Sequence, residues 1–300
     1  MTRVLPAGRH GGDGARVAAA LGLDPASVLD LSASMNPVAP DVRPLIAARL
    51  DSVRSYPDPA VATRAMAEAL GVDAERVLLT NGGAEAIALV TAEVGGHVRE
   101  PEFALYPRGT RGPRWRSDPH NPTGRLAGSR DGEIDEGETV WDEAFYALAT
   151  GRWTRPGRAV VVGSLTKVFA CPGLRIGYLL AEPDMVDRLR RHQPEWSVNA
   201  LAAAVLPYLL DAADPAGWAR AIASLRRDLT TLLAASGLAP LPSDANYVLC
   251  TSASGLRERL APHGVVVRDC SSFGLHGHSR VAVPDERGLQ RLEDALCAAG

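Results

Sequence analysis

Long hydrophobic runs, paired cysteines and blocks of like charge are all missing from this 300-residue chain. The longest apolar stretch, residues 201–210, is about half a membrane span and contains Pro207, so a buried helix is expected there and no membrane partner. The opening Met-Thr-Arg-Val-Leu-Pro-Ala-Gly lacks the apolar core of a secretory signal, which points to a cytoplasmic protein. The four cysteines, Cys171, Cys250, Cys270 and Cys297, form no C-x-x-C pair. A zinc site is therefore not expected, and reduced, partly buried thiols are. No basic run or basic–aromatic interleaving marks a nucleic-acid surface, and the net charge of −3 is spread over both signs. With 46% hydrophobic and 22% charged residues the composition is that of a folded protein, not a disordered one.

What is present is a strand-then-helix rhythm. Residues 15–23 read as a short helix ended by Gly22, residues 28–32 as a strand, and 41–50 as helical. Tyr56-Pro57-Asp58-Pro59 is a rigid break. Residues 60–70 follow as a helix by their alanines and their Ala, Met and Leu spacing, stopped by Gly71. Residues 77–80 form a strand, Asn81-Gly82-Gly83 a tight turn, and 84–94 a helix. Short apolar runs at 139–141, 159–163 and 176–180 read as buried strands, and the alternation argues for a mainly parallel sheet covered on both faces. The last third differs. Residues 194–213 and 218–235 read as helices, 246–250, 264–268 and 280–283 as strands, and 285–299 as a closing helix. The expected organisation is α/β: a large domain over 41–214, a smaller α+β domain over 215–300, and a segment 1–40 packing with the smaller domain. Residues 107–138, rich in Arg, Gly, Pro, Asp and Glu, show almost no apolar periodicity, which is unusual for so long a stretch inside a compact domain.

Four local features carry chemistry when taken in order. Asn81-Gly82-Gly83-Ala84-Glu85 joins a strand to a helix, where backbone N–H groups at the helix start can bind a phosphate. His120-Asn121-Pro122-Thr123-Gly124 is a turn. Asp142-Glu143-Ala144-Phe145 puts a carboxylate at the edge of a parallel sheet where ligands bind. Ser164-Leu165-Thr166-Lys167 follows a buried strand, with Arg175 eight residues on in Pro172-Gly173-Leu174-Arg175-Ile176-Gly177-Tyr178. A poorly solvated amine near other cations has a lowered pKa and becomes a nucleophile. Neighbouring hydroxyls and a guanidinium can hold a phosphate dianion. Each of the first three, taken alone, reads better as a structural turn or cap.

This ordered set resembles fold-type I pyridoxal-phosphate enzymes, the class I and II aminotransferases, over almost the whole chain, and implies an aspartate-aminotransferase-like fold. By that resemblance Lys167 is the Schiff-base lysine of pyridoxal 5'-phosphate and Asp142 pairs with the pyridinium nitrogen. Asn121 bonds the ring 3-hydroxyl and Tyr106 stacks on the ring. Gly83, Ala84, Ser164 and Arg175 hold the cofactor phosphate. Tyr56 reaches the neighbouring subunit's cofactor, which implies a homodimer. The 41–214 domain is then the cofactor-binding one.

The ends of the chain narrow the resemblance. His10-Gly11-Gly12-Asp13, Leu31 to Pro37 with Asn36, Gln193 to Ala200, Val267-Arg268-Asp269-Cys270 and Ser279-Arg280-Val281 are similar to the group holding the threonine-phosphate decarboxylases of cobalamin biosynthesis and the histidinol-phosphate aminotransferases. Arg280 is placed to fork onto an α-carboxylate, and Arg268, His10, Gly11 and Asn36 to surround a phosphate. Departures are equally visible. Only 14 residues separate Tyr106 from Asn121, where relatives place several further elements, and the stretch from Gly124 to Asp142 is also short, so the large domain is expected to be narrowed. Phe145 stands where many aminotransferases carry tyrosine, and Pro284 where a second arginine often follows. Three readings remain open: a decarboxylase of a phosphorylated amino acid, an aminotransferase for an acidic or phosphorylated amino acid, and a degenerate protein that binds cofactor or partner without catalysis.

Overall fold

The computed structural model describes residues 7–128 and 138–299. Helix α1 (Gly14–Leu21) stops where Gly22 turns left-handed at φ 70° and returns its N–H to the Ala18 and Ala19 carbonyls. Strand β1 (Leu29–Asp30), shorter than the run 28–32 suggested, and helix α2 (Arg43–Ala47) lead to α3 (Ala60–Leu70), which Gly71 ends in the same left-handed way. Then come β2 (Val77–Thr80), α4 (Gly82–Val94), β3 (Arg114–Ser117), β4 (Thr139–Asp142), α5 (Tyr146–Thr150), β5 (Val160–Ser164), α6 (Leu165–Val168), β6 (Gly177–Leu180), α7 (Pro183–Arg190) and α8 (Ala200–Asp211). The final third is α9 (Pro215–Ala235), β7 (Ala239–Pro240), β8 (Tyr247–Thr251), α10 (Leu256–Leu260), β9 (Val265–Val266), β10 (Arg268–Asp269), β11 (Ser279–Ala282) and α11 (Glu286–Ala299).

Five strands form one sheet in the order β2-β6-β5-β4-β3. β3, β4 and β5 are mutually parallel, and β6 runs antiparallel between β5 and β2. Four of the five therefore point the same way. Side-chain alternation splits the core between the two faces: Val77, Leu79, Val161 and Leu180 pack with α3 and α8, while Leu78, Val140, Val162 and Leu179 pack with α4 and α7. The second sheet, β10-β11-β8-β7, is antiparallel, and its core includes Leu229 and Leu233 of α9, Leu256 and Leu260 of α10 and Leu292 of α11. β1 pairs in parallel with β9 as a separate two-stranded sheet, and Leu31 and Val265 beside it join the same core.

Three expectations change. The run 264–268 is not one strand: β9 joins β1 and β10 joins β11, so a bend at Val267 divides it between two sheets. The helix read from 194 starts only at Ala200, because Trp196 adopts a positive φ of 55° and the Asn199 side chain caps the Ala202 N–H. The unpatterned stretch contains β3, whose Arg-Trp-Arg-Ser alternation buries only Trp115 and Ser117. Within that stretch, residues 129–137 lie outside the described residues. Among the described residues no helix is long and apolar enough to cross a membrane.

Candidate active site

Because β2, β3, β4 and β5 share a direction, their C-terminal ends meet at one edge of the sheet, where open α/β folds bind ligands. Thr80 and Ser164 both pair with Gly177, and Ser117 pairs with Asp142. That edge therefore presents Gly83 and Ala84 after β2, Asn121 after β3, Asp142 at the end of β4, Ser164 to Lys167 after β5, and Arg175 just before β6. A cavity of about 300 Å³ opens there. It is lined by Lys167, Asp142, Asn121, Tyr106, Gly83, Ala84, Ser164 and Arg175 on the sheet side, and by His10, Gly11, Arg268 and Arg280 on the other.

Lys167 points its amine at the Ala33 carbonyl, 3.2 Å away. Burial pushes its pKa down to about 8, with Arg280 and Arg175 adding repulsion against the pull of Asp30 and Asp142. A free amine is thus within reach at ordinary pH, the condition for nucleophilic attack on a carbonyl. It is also the only lysine in the chain. Asp142, 8% exposed, accepts the Tyr106 hydroxyl at 2.8 Å and the Ala144 N–H at 2.9 Å. Burial raises its pKa, and those two donors and Lys167 work the other way.

At the opposite end Arg175 occupies the left-handed region at φ 55° and lays its guanidinium over Gly82, itself at φ 74°. A Cβ on Gly82 would fall 2.3 Å from Arg175 Nη2, and one on Gly83 3.3 Å from Ser164 Cβ. These glycines let backbone, hydroxyl and guanidinium converge at the start of the 13-residue α4. The Ser164 and Thr166 hydroxyls are 2.9 Å apart in the same cradle. Strain at a non-glycine residue beside open donors is typical of a ligand clamp, and the donor set is that of an anion site.

Arg268 and Arg280 are cross-strand partners on β10 and β11. Arg280, 6% exposed, lies 4.7 Å from the Tyr247 ring centre. Its Nη1 donates to Asn121 Oδ1 and its Nη2 to the Ser32 carbonyl, while its buried Nε has no partner. A buried donor left unmade costs about 1–3 kcal/mol, which a bound anion would recover. Arg268 donates to the Gly8 and Arg9 carbonyls and to Ser272 Oγ, drawing the N-terminal loop over the cavity. Gly11 is required there, since a Cβ would sit 2.1 Å from the Ser32 carbonyl oxygen.

One residue expected at the site is not brought to it, and one expected at a neighbouring subunit's site stands outside this cavity. The Asn36 side chain donates to the Val168 carbonyl and accepts the Val38 N–H, so it braces the Lys167 helix instead of lining the cavity. Tyr56 is 79% exposed and stacks on Trp196 at 4.6 Å, in a separate groove. Tyr106 stacks on Trp115 at 5.4 Å. The sequence reading missed Ser117, Phe103 and Leu105 in the lining, as well as Glu102 behind it. None stands in a spacing that signals function. The uniqueness of Lys167, by contrast, was available from a residue count.

Comparison with known proteins agrees with this geometry. A family model described as aminotransferase class I and II matches residues 117–296. The threonine-phosphate decarboxylase of Salmonella typhimurium is 30% identical over 96% of this chain and 95% of its own length. That match runs over 350 aligned positions, more than the chain's 300 residues, so the relative carries segments this chain lacks. A histidinol-phosphate aminotransferase of Nitrosococcus oceani is 32% identical over 60% of this chain, which spans 55% of that protein. Among solved structures, the histidinol-phosphate aminotransferase of Sinorhizobium meliloti in complex with pyridoxal-5'-phosphate superimposes with a TM-score of 0.76 at 19% identity, covering 89% of each chain.

Proposed function

This chain belongs to the class I and II aminotransferases, a family of pyridoxal-phosphate enzymes, and on that footing we propose that it decarboxylates L-threonine O-3-phosphate to aminopropanol phosphate, a step of cobalamin biosynthesis. The cavity fits the cofactor. The glycine cradle under Arg175 suits a phosphate, Asp142 a ring nitrogen, Asn121 the ring oxygen, Tyr106 the ring face, and Lys167 the aldehyde carbon. Bound there, the cofactor supplies an electron sink for the pair left when a bond at the substrate α-carbon breaks. Lys167, whose amine stands in the same cavity, would be the group to move a proton to or from that carbon. Asp142, held by Tyr106 and Ala144, would face the ring nitrogen from a buried position.

The observation that carries the substrate reading is the pair Arg268–Arg280. Arg280 is buried, forms no ion pair with a carboxylate among the described residues and has an open Nε, which suits an α-carboxylate. Arg268 adds a second positive charge within one strand spacing, with His10 and Gly11 above it, which suits a second anionic group. Retention of Lys167, Asp142, Arg175 and Arg280 in one cavity speaks against a degenerate, non-catalytic protein. The Nitrosococcus relative favours a second reading, transamination of histidinol-phosphate type, and the same cations serve it. The homodimer also belongs to this proposal. Tyr56 and Trp196 sit outside their own cavity on an exposed aromatic face, as expected of residues that complete a neighbouring subunit's site.

Incubation of the pyridoxal-phosphate form with threonine phosphate and no keto acid is expected to release carbon dioxide. Amino transfer to 2-oxoglutarate without carbon dioxide would decide for the aminotransferase.

A further inference from the structure

The loop between α7 and α8 touches both halves of the anion cradle without lining the cavity. On one side its contact is Glu85, in the first turn of α4. Glu85 Oε2 accepts the Asn81 N–H at 2.8 Å, the Ser197 hydroxyl at 2.5 Å and the Gln193 side-chain amide at 3.2 Å. The same Gln193 nitrogen donates to the Leu79 carbonyl of β2 at 2.8 Å. On the other side Asn199 Nδ2 donates at 2.9 Å to the carbonyl of Leu174, the residue before Arg175. Arg175 Nη2 joins the two sides by donating to the Asn81 carbonyl at 3.3 Å. Asn81 thus gives its N–H to Glu85 and its carbonyl to Arg175, immediately before Gly82 and Gly83.

We propose that Glu85 is a positioning residue for the phosphate end of the cofactor: it fixes Asn81-Gly82-Gly83 against the loop of residues 193–199 and, through the Asn81 carbonyl, steadies Arg175 over the cradle. The inference rests on the pyridoxal-phosphate reading above, because the cradle matters only if a phosphate enters it. Two successive glycines form the most mobile kind of backbone. A site built on them loses affinity to the ordering that binding demands, unless the backbone is held in place beforehand. Glu85 and Arg175 hold the two polar groups of Asn81 at the entrance to that glycine pair. Asn199 holds the peptide just before Arg175 from the same loop, so both partners of the clamp share one support.

A carboxylate in a first turn also serves its own helix, by accepting an N–H and facing the positive end of the dipole. Two features go beyond that. Glu85 Oε2 collects two further donors from residues 108 and 112 positions away, which a helix cap does not need. The bend that brings residues 193 and 197 onto that one oxygen passes through Trp196, a bulky residue at φ 55°. Such backbone persists only where its surroundings hold it. The charge of Glu85 itself opposes an anion nearby, so its place beside the cradle calls for a structural return, and the three donors it gathers supply one.

Pyridoxal phosphate and pyridoxal differ only in the phosphate group, so the ratio of their dissociation constants from the apoprotein reads the cradle by itself. Glu85→Ala is expected to weaken pyridoxal phosphate about tenfold, the worth of one hydrogen bond to a charged group, and to leave pyridoxal unchanged. Ser197→Ala keeps the bond from Asn81 to Glu85, and with it the helix cap. It should move the ratio the same way by a smaller factor. The double variant should match Glu85→Ala, because Ser197 acts through Glu85. A residue that only caps α4 lowers the apoprotein melting temperature and leaves the ratio where it was, and that result overturns the proposal. So does a loss shared equally by both ligands, or a double variant whose loss is the product of the single ones. Failure of the underlying reading shows differently, as a wild-type apoprotein with no preference for pyridoxal phosphate over pyridoxal.

Discussion

Lys167 is the only amine of the chain besides the N-terminus, so its chemistry can be followed without interference. The protein loaded with pyridoxal phosphate is expected to show a visible absorbance band that borohydride bleaches, and the reduced adduct should map to the peptide holding Lys167. A band of the same kind surviving in Lys167→Ala would refute the assignment. The pH dependence has a definite sign. The neutral amine is the nucleophile, and burial with Arg280 and Arg175 holds its pKa at about 8. The rate at which apoprotein takes up cofactor should thus climb with pH below that value and level off above it. A midpoint at the ordinary lysine value of 10.5 would show that the amine is solvated. Lys167 was legible from its flanking hydroxyls and Arg175. The direction of its pKa was legible as well, from poor solvation and nearby cations; the share of Arg280 was not, because Arg280 comes from a distant strand.

The elements that announce themselves are those that follow one rule locally. α3 ends at Gly71 as expected, and β2 spans 77–80 as read, since an apolar run bounded by glycine or turn residues leaves little choice. β3 escaped because Arg114 and Arg116 occupy its half-exposed positions and its buried face is only Trp115 and Ser117. The join of β2 to α4 shows what a motif alone conceals. Gly82 is needed twice, for its φ of 74° and for the guanidinium that crosses it. Gly82→Ala should destabilise the apoprotein by about 1–2 kcal/mol through the left-handed backbone. It should also weaken cofactor binding about tenfold or more by displacing Arg175, since 1.4 kcal/mol is a factor of ten. Thermal melts and a cofactor titration measure the two effects, and an affinity equal to wild type would mean that Arg175 does not hold the phosphate.

At the scale of the molecule, the face carrying Val53, Tyr56 and Trp196 is the open question the fold poses. Tyr56 and Trp196 are 79% and 59% exposed, Val53 shares their groove, and Leu50, Val61 and Tyr208 are exposed on adjoining elements. Large apolar patches of this kind mark association surfaces, and burial against a second copy would return roughly 25 cal/mol for each Å² covered. Sedimentation should find a dimer, and Val53→Asp should shift it to monomer at low concentration while leaving the fold intact. A wild-type monomer at micromolar concentration would remove Tyr56 from the site.

What the sequence determined by itself is whatever depends on neighbours in the chain. That includes the strand–helix alternation, the glycine-bounded helix starts and stops, and the grouping of Ser164, Thr166, Lys167 and Arg175 around one turn. Tertiary structure decided what depends on residues far apart. The parallel direction of β3, β4 and β5 carries Asn121, Asp142 and Lys167 to one edge. The pairing of β10 with β11 sets Arg268 opposite Arg280. Folding of the loop before β3 brings Glu102 against Ser117. The physical reason is that local propensity fixes backbone conformation within a few residues. Much of the burial, charge and hydrogen bonding at the site comes from groups far apart in the chain, as when Asn36 braces Val168 at a separation of 132 and Arg280 reaches Asn121 at 159.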